Sequence, residues 1–338
     1  TDTWDNRAAC GLDTVFNLNM TPNKIYYTLR PFIPRMAQIA LRRQIVLFKR
    51  NRNSFRWPID ESAYRLPPNW GGWPKDKKFA FVLIHDVDTR QGLDRCENLM
   101  RLEEKIGMRS SFNFVPERYL NMPSIRKLLV SRGFEIGVHG LKHDGKLFRS
   151  KRIFMKRAKR INQYLRDWKT SGFSSPSMHH NLAWMPMLDI KHATSTFDTD
   201  PFEPCPEGVR TIFPFWVEGN DTNDGYVELP YTLPQDFTLF ILMQESDTRI
   251  WKKKLDWIVE NNGMALLNTH PDYMKFNGGN CQLDQYPVAR YEELLNYVKD
   301  KYDGQYWQAL PEQIAVFWEK NYRHCTPDSL RIDGGLCG

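Results

Sequence analysis

The sequence predicts an α/β fold built on a mostly parallel sheet, either open or closed into a barrel. Three observations predict it. From Phe79 onward, short apolar runs alternate with longer charged segments, the pattern of strands and helices in turn. The run Phe79-Ala80-Phe81-Val82-Leu83-Ile84 is apolar without a break, as in a strand buried on both faces. Three such runs also end in Asp or His, and parallel-sheet enzymes place their chemistry at the C-terminal ends of strands.

Taken in order, residues 1–75 read as a basic, partly helical extension. Pro34 opens a helix that continues through Arg50. At about 100° per residue, Met36, Ala37, Ala40, Leu41, Ile45, Leu47 and Phe48 share one side. Arg35, Arg42, Arg43, Lys49 and Arg50 gather on the other, with Ile39 and Val46 among them. The expectation is that the apolar side packs on the protein and leaves the cations in water. Pro67-Pro68-Asn69-Trp70-Gly71-Gly72-Trp73-Pro74 reads as a linker or an aromatic-anchored loop.

Residues 76–322 hold the main domain. A strand from Phe79 is followed by a helix over 91–106, a strand over 111–115, a helix over 124–132 and a strand over 135–138. A long basic helix covers 150–168. Further strands are predicted near 211–217, 237–243 and 264–268, and helices near 248–262, 288–299 and 311–320. Residues 323–338 read as a Gly-rich tail.

Composition sets the bounds. The 338 residues are 41% hydrophobic and 26% charged, near the soluble globular average, so a sizeable core is expected. No apolar stretch reaches the roughly 18 residues that a membrane-spanning helix needs. Six scattered cysteines without a CxxC pair read as reduced thiols, and the expected location is cytoplasmic, with membrane association as a further expectation. Export stays open, because the sequence starts at Thr1. Between Thr14 and Pro58 there are nine Lys or Arg and no Asp or Glu, against a net charge of +7 overall. The basic character therefore belongs to the extension, and peripheral contact with anionic membrane through residues 30–56 is one expectation. Nucleic acid is not an expected partner, since no recognised fold or aromatic platform accompanies the cations.

The chemistry falls in three clusters. In His85-Asp86-Val87-Asp88 the two carboxylates point to one side of an extended chain, suiting one metal ligand and one general base. In His139-Gly140-Leu141-Lys142-His143 the spacing brings two imidazoles together on a helical turn, where both can bind one ion. Leu266-Leu267-Asn268-Thr269-His270 ends in a side chain able to exchange a proton near neutral pH. Each cluster alone also fits a helix cap, a core histidine or a loop residue. Together they offer Asp88, His139 and His143 to one divalent ion, zinc above all with cobalt and nickel as alternatives. An open position would hold water of lowered pKa, with Asp86 as base and His270 as acid.

These motifs resemble the polysaccharide deacetylase family (carbohydrate esterase family 4, the NodB-homology domain) over Lys77 to Tyr273. His85-Asp86-Val87-Asp88 is similar to its first motif, and His139 to His143 to its HxxxH metal motif, the most specific match. Leu267-Asn268-Thr269-His270 is similar to its last motif, which implies that Leu267 lines the acetyl pocket. Gly172-Phe173-Ser174-Ser175-Pro176 resembles the stretch in which the family carries an Arg that orients the base; here Ser174 stands in its place and Pro176 marks the motif. Asp198 falls where the family often has an Asp-containing motif. The resemblance implies a distorted (β/α) barrel and removal of acetyl groups from N- or O-acetylated sugars or polysaccharide precursors. The alternatives are a deacetylase-fold carbohydrate-binding protein weakened by Ser174, and a C–N hydrolase acting on a small amide.

Overall fold

The computed structural model describes residues 34–52, 56–120, 122–203, 208–220 and 223–323. The remaining parts of the extension and the tail lie outside the described residues. Arg35 onward forms one compact unit.

The first helix, α1 (Arg35–Arg52), packs with the orientation opposite to the expected one. Ile39 and Val46 are buried, and the basic side turns inward with them. Arg43 donates to the carbonyls of Ile241 and Leu283 (both 2.8 Å), Lys49 to that of Pro201 (3.0 Å), and Arg50 pairs with Glu245 (2.5 Å). The long cationic stems cover apolar surface while their heads reach acceptors supplied by distant segments. Met36, Leu41, Ile45, Leu47 and Phe48 face outward. The Trp70–Trp73 loop is anchored as its aromatics predict, with the Trp73 indole N–H donating to the Asn262 carbonyl (2.8 Å) and the Tyr322 hydroxyl accepting from the Gly71 N–H (2.9 Å).

β1 (Phe79–Val87) is buried along its whole length and is the centre of the sheet. It pairs in parallel with β8 (Met264–Thr269) on one side, with Ala80 beside Met264 and His85 beside Thr269. On the other side its start meets β11 (Tyr306–Gln308) and its end meets β2 (Ser111–Phe114), which places Asp86 beside Asn113. β3 (Glu135–His139), β4 (Gly172–Ser174), β5 (His192–Thr194) and β7 (Asn223–Glu228) follow in parallel, and β6 (Phe215–Asn220) adds antiparallel to β7. The chain after β7 closes the ring irregularly. Tyr231 N–H donates to the Thr196 carbonyl (2.9 Å) and Thr232 N–H to that of Leu266 (3.2 Å), so this segment bridges the fifth and eighth strands. The result is a distorted (β/α) barrel.

Helices cover the outside: α2 (Arg90–Ile106), α3 (Pro123–Ser131), α4 (Lys151–Trp168), α5 (Arg249–Glu260), α6 (Ala289–Lys301) and α7 (Pro311–Tyr322). α4 shows why they form. Ser150 caps its first turn by accepting from the Ile153 N–H (3.3 Å), and Phe154, Ala158, Ile161 and Leu165 make one buried stripe at helical spacing. None of the helices among the described residues is long and apolar enough to cross a membrane. A small pair of two-residue strands, β9 (Met274–Lys275) and β10 (Tyr286–Pro287), lies beside the barrel.

Two strand expectations are corrected. Residues 237–243 hold a buried π-helical segment, Phe237–Leu242, capped by Asp236, whose carboxylate accepts the Phe237 N–H (2.8 Å). A short, mostly buried apolar run cannot be assigned to strand or helix by periodicity. Near 211–217 the strand begins only at Phe215.

Candidate metal centre and acid–base pair

β1 and β3 carry their titratable residues to one end of the barrel. Asp88 follows β1, and its Oδ1 lies 3.3 Å from His139 Nε2 and 3.0 Å from His143 Nε2. One ligand atom from each residue falls within 4.8 Å of the other two, making this the one set of at least three such residues among those described that fits a metal ion. The two imidazoles do not meet on a helical turn. His139 ends β3, Gly140 and His143 adopt left-handed backbone (φ 58° and 52°), and the reversal brings the rings to 5.2 Å between centroids. Glycine is required at 140, because a Cβ there would lie 2.5 Å from Pro176 Cγ. Pro176 therefore sits directly against the ligand loop.

The donor chemistry fits a divalent ion. Asp88 Oδ1 and His143 Nδ1 are buried without a hydrogen-bond partner among the described residues. Such atoms are costly to bury unless something else satisfies them, and the Oδ1 faces two imidazoles. Burial alone raises the Asp88 carboxyl, but the two imidazoles facing it, His143 above all, hold it well below the usual carboxylate range. Burial lowers the His143 imidazole, favouring the neutral form that a metal needs. Asp272 fixes the Asp88 backbone, accepting the N–H groups of Asp88 and Thr89 (both 2.9 Å). Asp144 stays out of the centre and forms a two-pronged pair with Arg157 on α4 (2.6 and 2.7 Å).

Asp86, two residues earlier, points into the same space and accepts four hydrogen bonds. Oδ1 accepts from Asn113 Nδ2 and Ser174 Oγ (both 3.0 Å); Oδ2 accepts from Asn268 Nδ2 (2.9 Å) and the Tyr231 hydroxyl (3.3 Å). Neutral donors from four different strands or their extensions thus surround the carboxylate. The Ser174 hydroxyl is also 3.1 Å from His139 Nδ1. Since it donates to Asp86, it accepts from His139, which puts the ring proton on Nδ1 and leaves the Nε2 lone pair facing Asp88.

His270 follows β8 and closes the other side. Its Nδ1 lies 2.7 Å from Asp236 Oδ1, its own N–H donates to Asp236 Oδ2 (2.8 Å), and the Tyr286 hydroxyl donates to the same oxygen (3.0 Å). Burial alone would lower this imidazole. The Asp236 charge and hydrogen bond, with Asp88 and Asp86 nearby, override it and push the pKa up to about 10. Nδ1 being taken, Nε2 is the nitrogen left to give a proton.

Two other sequence-predicted positions fall differently. Leu267 is fully buried in the hydrophobic core. Side chains alternate along a strand, so with Asn268 turned to Asp86, Leu267 faces the opposite side; the β8 residue that reaches the centre is Asn268. Asp198 forms a buried ion pair with Lys254 (2.7 Å), and burial pushes its carboxyl up to about 6 despite that partner. Sequence reasoning missed Asn113, Tyr231, Asn268 and Asp236. The signal for the last was an Asp directly before an apolar run, a helix-cap pattern.

No family model and no curated protein matches the sequence. Solved structures do match in fold. A protein assigned as a polysaccharide deacetylase from Mycobacterium smegmatis superposes with a TM-score of 0.57 at 16% identity, covering 75% of this chain and 94% of its own. Puue allantoinase gives a TM-score of 0.58 at 14% identity, with coverage of 79% and 99%. A protein assigned as a polysaccharide deacetylase from Pseudomonas aeruginosa PAO1 gives 0.57 at 14%, with the same coverage. This chain has the fold of those proteins.

Proposed function

We propose that this protein is a metal-dependent hydrolase that removes acetyl or other acyl groups from an N- or O-acetylated sugar or polysaccharide precursor. The observation that carries the reading is the convergence of Asp88, His139 and His143 between Asp86 and His270. A divalent ion held by the three ligands, zinc by donor type, supplies Lewis acidity and lowers the pKa of water. Asp86, held by four donors, accepts the proton from the attacking water. His270, kept protonated by Asp236, gives a proton to the departing nitrogen or oxygen. The likeness to proteins assigned as polysaccharide deacetylases supports a carbohydrate substrate.

The likeness to an allantoinase favours a second reading, hydrolysis of a C–N bond in a small cyclic amide with the same residues. The test is acetate or amide release by the zinc-loaded protein from a panel of acetylated oligosaccharides, peptidoglycan, acetylated xylan and allantoin, with and without chelator. Chelator-sensitive acetate release supports the main reading, and turnover of allantoin alone moves the assignment to the second. Activity that survives exhaustive chelation removes both.

A further inference from the structure

The outward side of α1 is the largest concentration of exposed apolar side chains in the described molecule. Twelve large hydrophobic residues are exposed among those described, and five are Met36, Leu41, Ile45, Leu47 and Phe48. A sixth, Leu283, is the residue whose carbonyl Arg43 holds at 2.8 Å, so it adjoins the same helix. Single exposed hydrophobics are ordinary on protein surfaces, but half of them gathered in one place mark a contact surface. Their exposure is considerable: Phe48 is 60% and Leu41 48% accessible.

We propose that this face of α1 lies in the interfacial layer of an anionic lipid membrane. Charge selects that occupant. The helix has no Asp or Glu; Arg42, Arg43 and Lys49 at its flanks meet a ring or carbonyls, which leave their charge in place, and Arg52 is exposed. Two copies meeting through this face would bring like charge together, whereas an anionic lipid surface is complementary to it. The exposed Arg52 guanidinium lies over the Phe48 ring (4.2 Å to the centroid), a cation beside an apolar anchor as at the boundary of headgroup and acyl chain. Gln44 is the other exposed polar side chain described on this side, and neutral groups of that kind sit at headgroup level without penalty. The inward cations hold the helix to the barrel, so the apolar side faces away from the protein.

The helix also borders the catalytic end of the barrel. Arg42 lies over Phe237 (4.9 Å), Phe237 packs on Tyr273 (5.0 Å between rings), and Tyr273 packs on His270 (5.2 Å). A lipid surface under α1 would lie beside the site, where a membrane-attached substrate is presented. The docking proposal itself does not depend on the reaction assigned to that site.

The test is flotation of the full chain with vesicles of phosphatidylcholine, with and without phosphatidylglycerol, beside the double variant Leu41→Ser/Phe48→Ser. Both side chains are exposed, so thermal midpoint and zinc stoichiometry are expected to be unchanged. The proposal expects the wild type to float with anionic vesicles, to bind less tightly in high salt, and to lose roughly tenfold or more in partitioning in the variant. Three results would overturn it. One is a wild type that stays off anionic vesicles, and another is a variant that floats equally well. The third is a concentration-dependent dimer that the variant abolishes, which gives the face to a second copy.

Discussion

The Ser174 hydroxyl stands between two functions: it is 3.0 Å from Asp86 Oδ1 and 3.1 Å from His139 Nδ1. One small side chain thereby orients the proposed base and sets the tautomer of a proposed metal ligand. The Ser174 side chain is fully buried. The carboxylate is held by a ring of neutral donors from Asn113, Ser174, Tyr231 and Asn268 in place of a cation. Charge-assisted hydrogen bonds of this kind are individually strong, so four of them position a carboxylate firmly.

Removing single donors is expected to act on turnover more than on substrate binding. Ser174→Ala and Tyr231→Phe should each lower kcat by about tenfold to a hundredfold with KM nearly unchanged, as expected when a bond to a buried charge is lost. Asp86→Asn should leave almost no turnover. Ser174→Arg should lower the thermal midpoint, because the site has no room for the larger side chain. Steady-state kinetics and thermal melts check all four, and a gain of activity in Ser174→Arg would contradict the donor-ring account.

Gly137 makes the ring possible. A Cβ at that position would lie 2.2 Å from Asn113 Oδ1, the amide whose nitrogen donates to Asp86. Gly137→Ala is expected to push the Asn113 side chain off the carboxylate and to cost about 1–3 kcal/mol of stability by overpacking. Urea denaturation together with kinetics measures both; a variant indistinguishable from wild type in each would show that Asn113 is not held there.

The proposed ligands predict linked losses of metal and stability. Asp88→Asn, His139→Ala and His143→Ala should each weaken zinc binding by roughly 100-fold or more and abolish the rise in thermal midpoint on adding zinc. Affinity should also fall in acid, since the imidazoles must be neutral to bind. Zinc titration of the chelated protein checks these effects. Full affinity in His143→Ala would remove that residue from the set.

The His270–Asp236 pair predicts a pH dependence in the metal-free protein. The imidazole's pKa rises from 6.5 to about 10 on folding. Its stabilisation is therefore fully present below about pH 6.5 and is lost as the pH climbs through about 10. Between pH 7 and 10 the wild type should lose stability on the order of 3 kcal/mol relative to Asp236→Asn, in which the imidazole returns toward its ordinary value. Urea denaturation in the presence of chelator gives the two curves. Parallel curves would mean that Asp236 does not hold the proton on His270.

Much of the architecture was legible because long apolar runs announce buried strands. β1, β2, β3 and β8 lie where those runs are, and Asp86, Asp88, His139 and His270 stand at or just beyond their ends. A carboxylate or imidazole at the end of such a run is conspicuous, which is why these residues were identifiable. β4 and β5, three residues each, are too short for periodicity to show.

What the sequence by itself determined is therefore the alternating fold and the set of titratable side chains available for chemistry. Only the tertiary structure decided which neutral groups surround them and which way α1 faces. Asn113, Tyr231 and Asn268 carry no charge and no spacing signal, and they meet at Asp86 because β2, β8 and the segment closing the ring converge there. A helical wheel likewise separates the two sides of α1 without saying which meets the protein. That was decided by the carbonyls of Ile241, Leu283 and Pro201 and the carboxylate of Glu245, acceptors more than 150 positions away along the chain. Long-range acceptors satisfy the cations, and no local pattern encodes them.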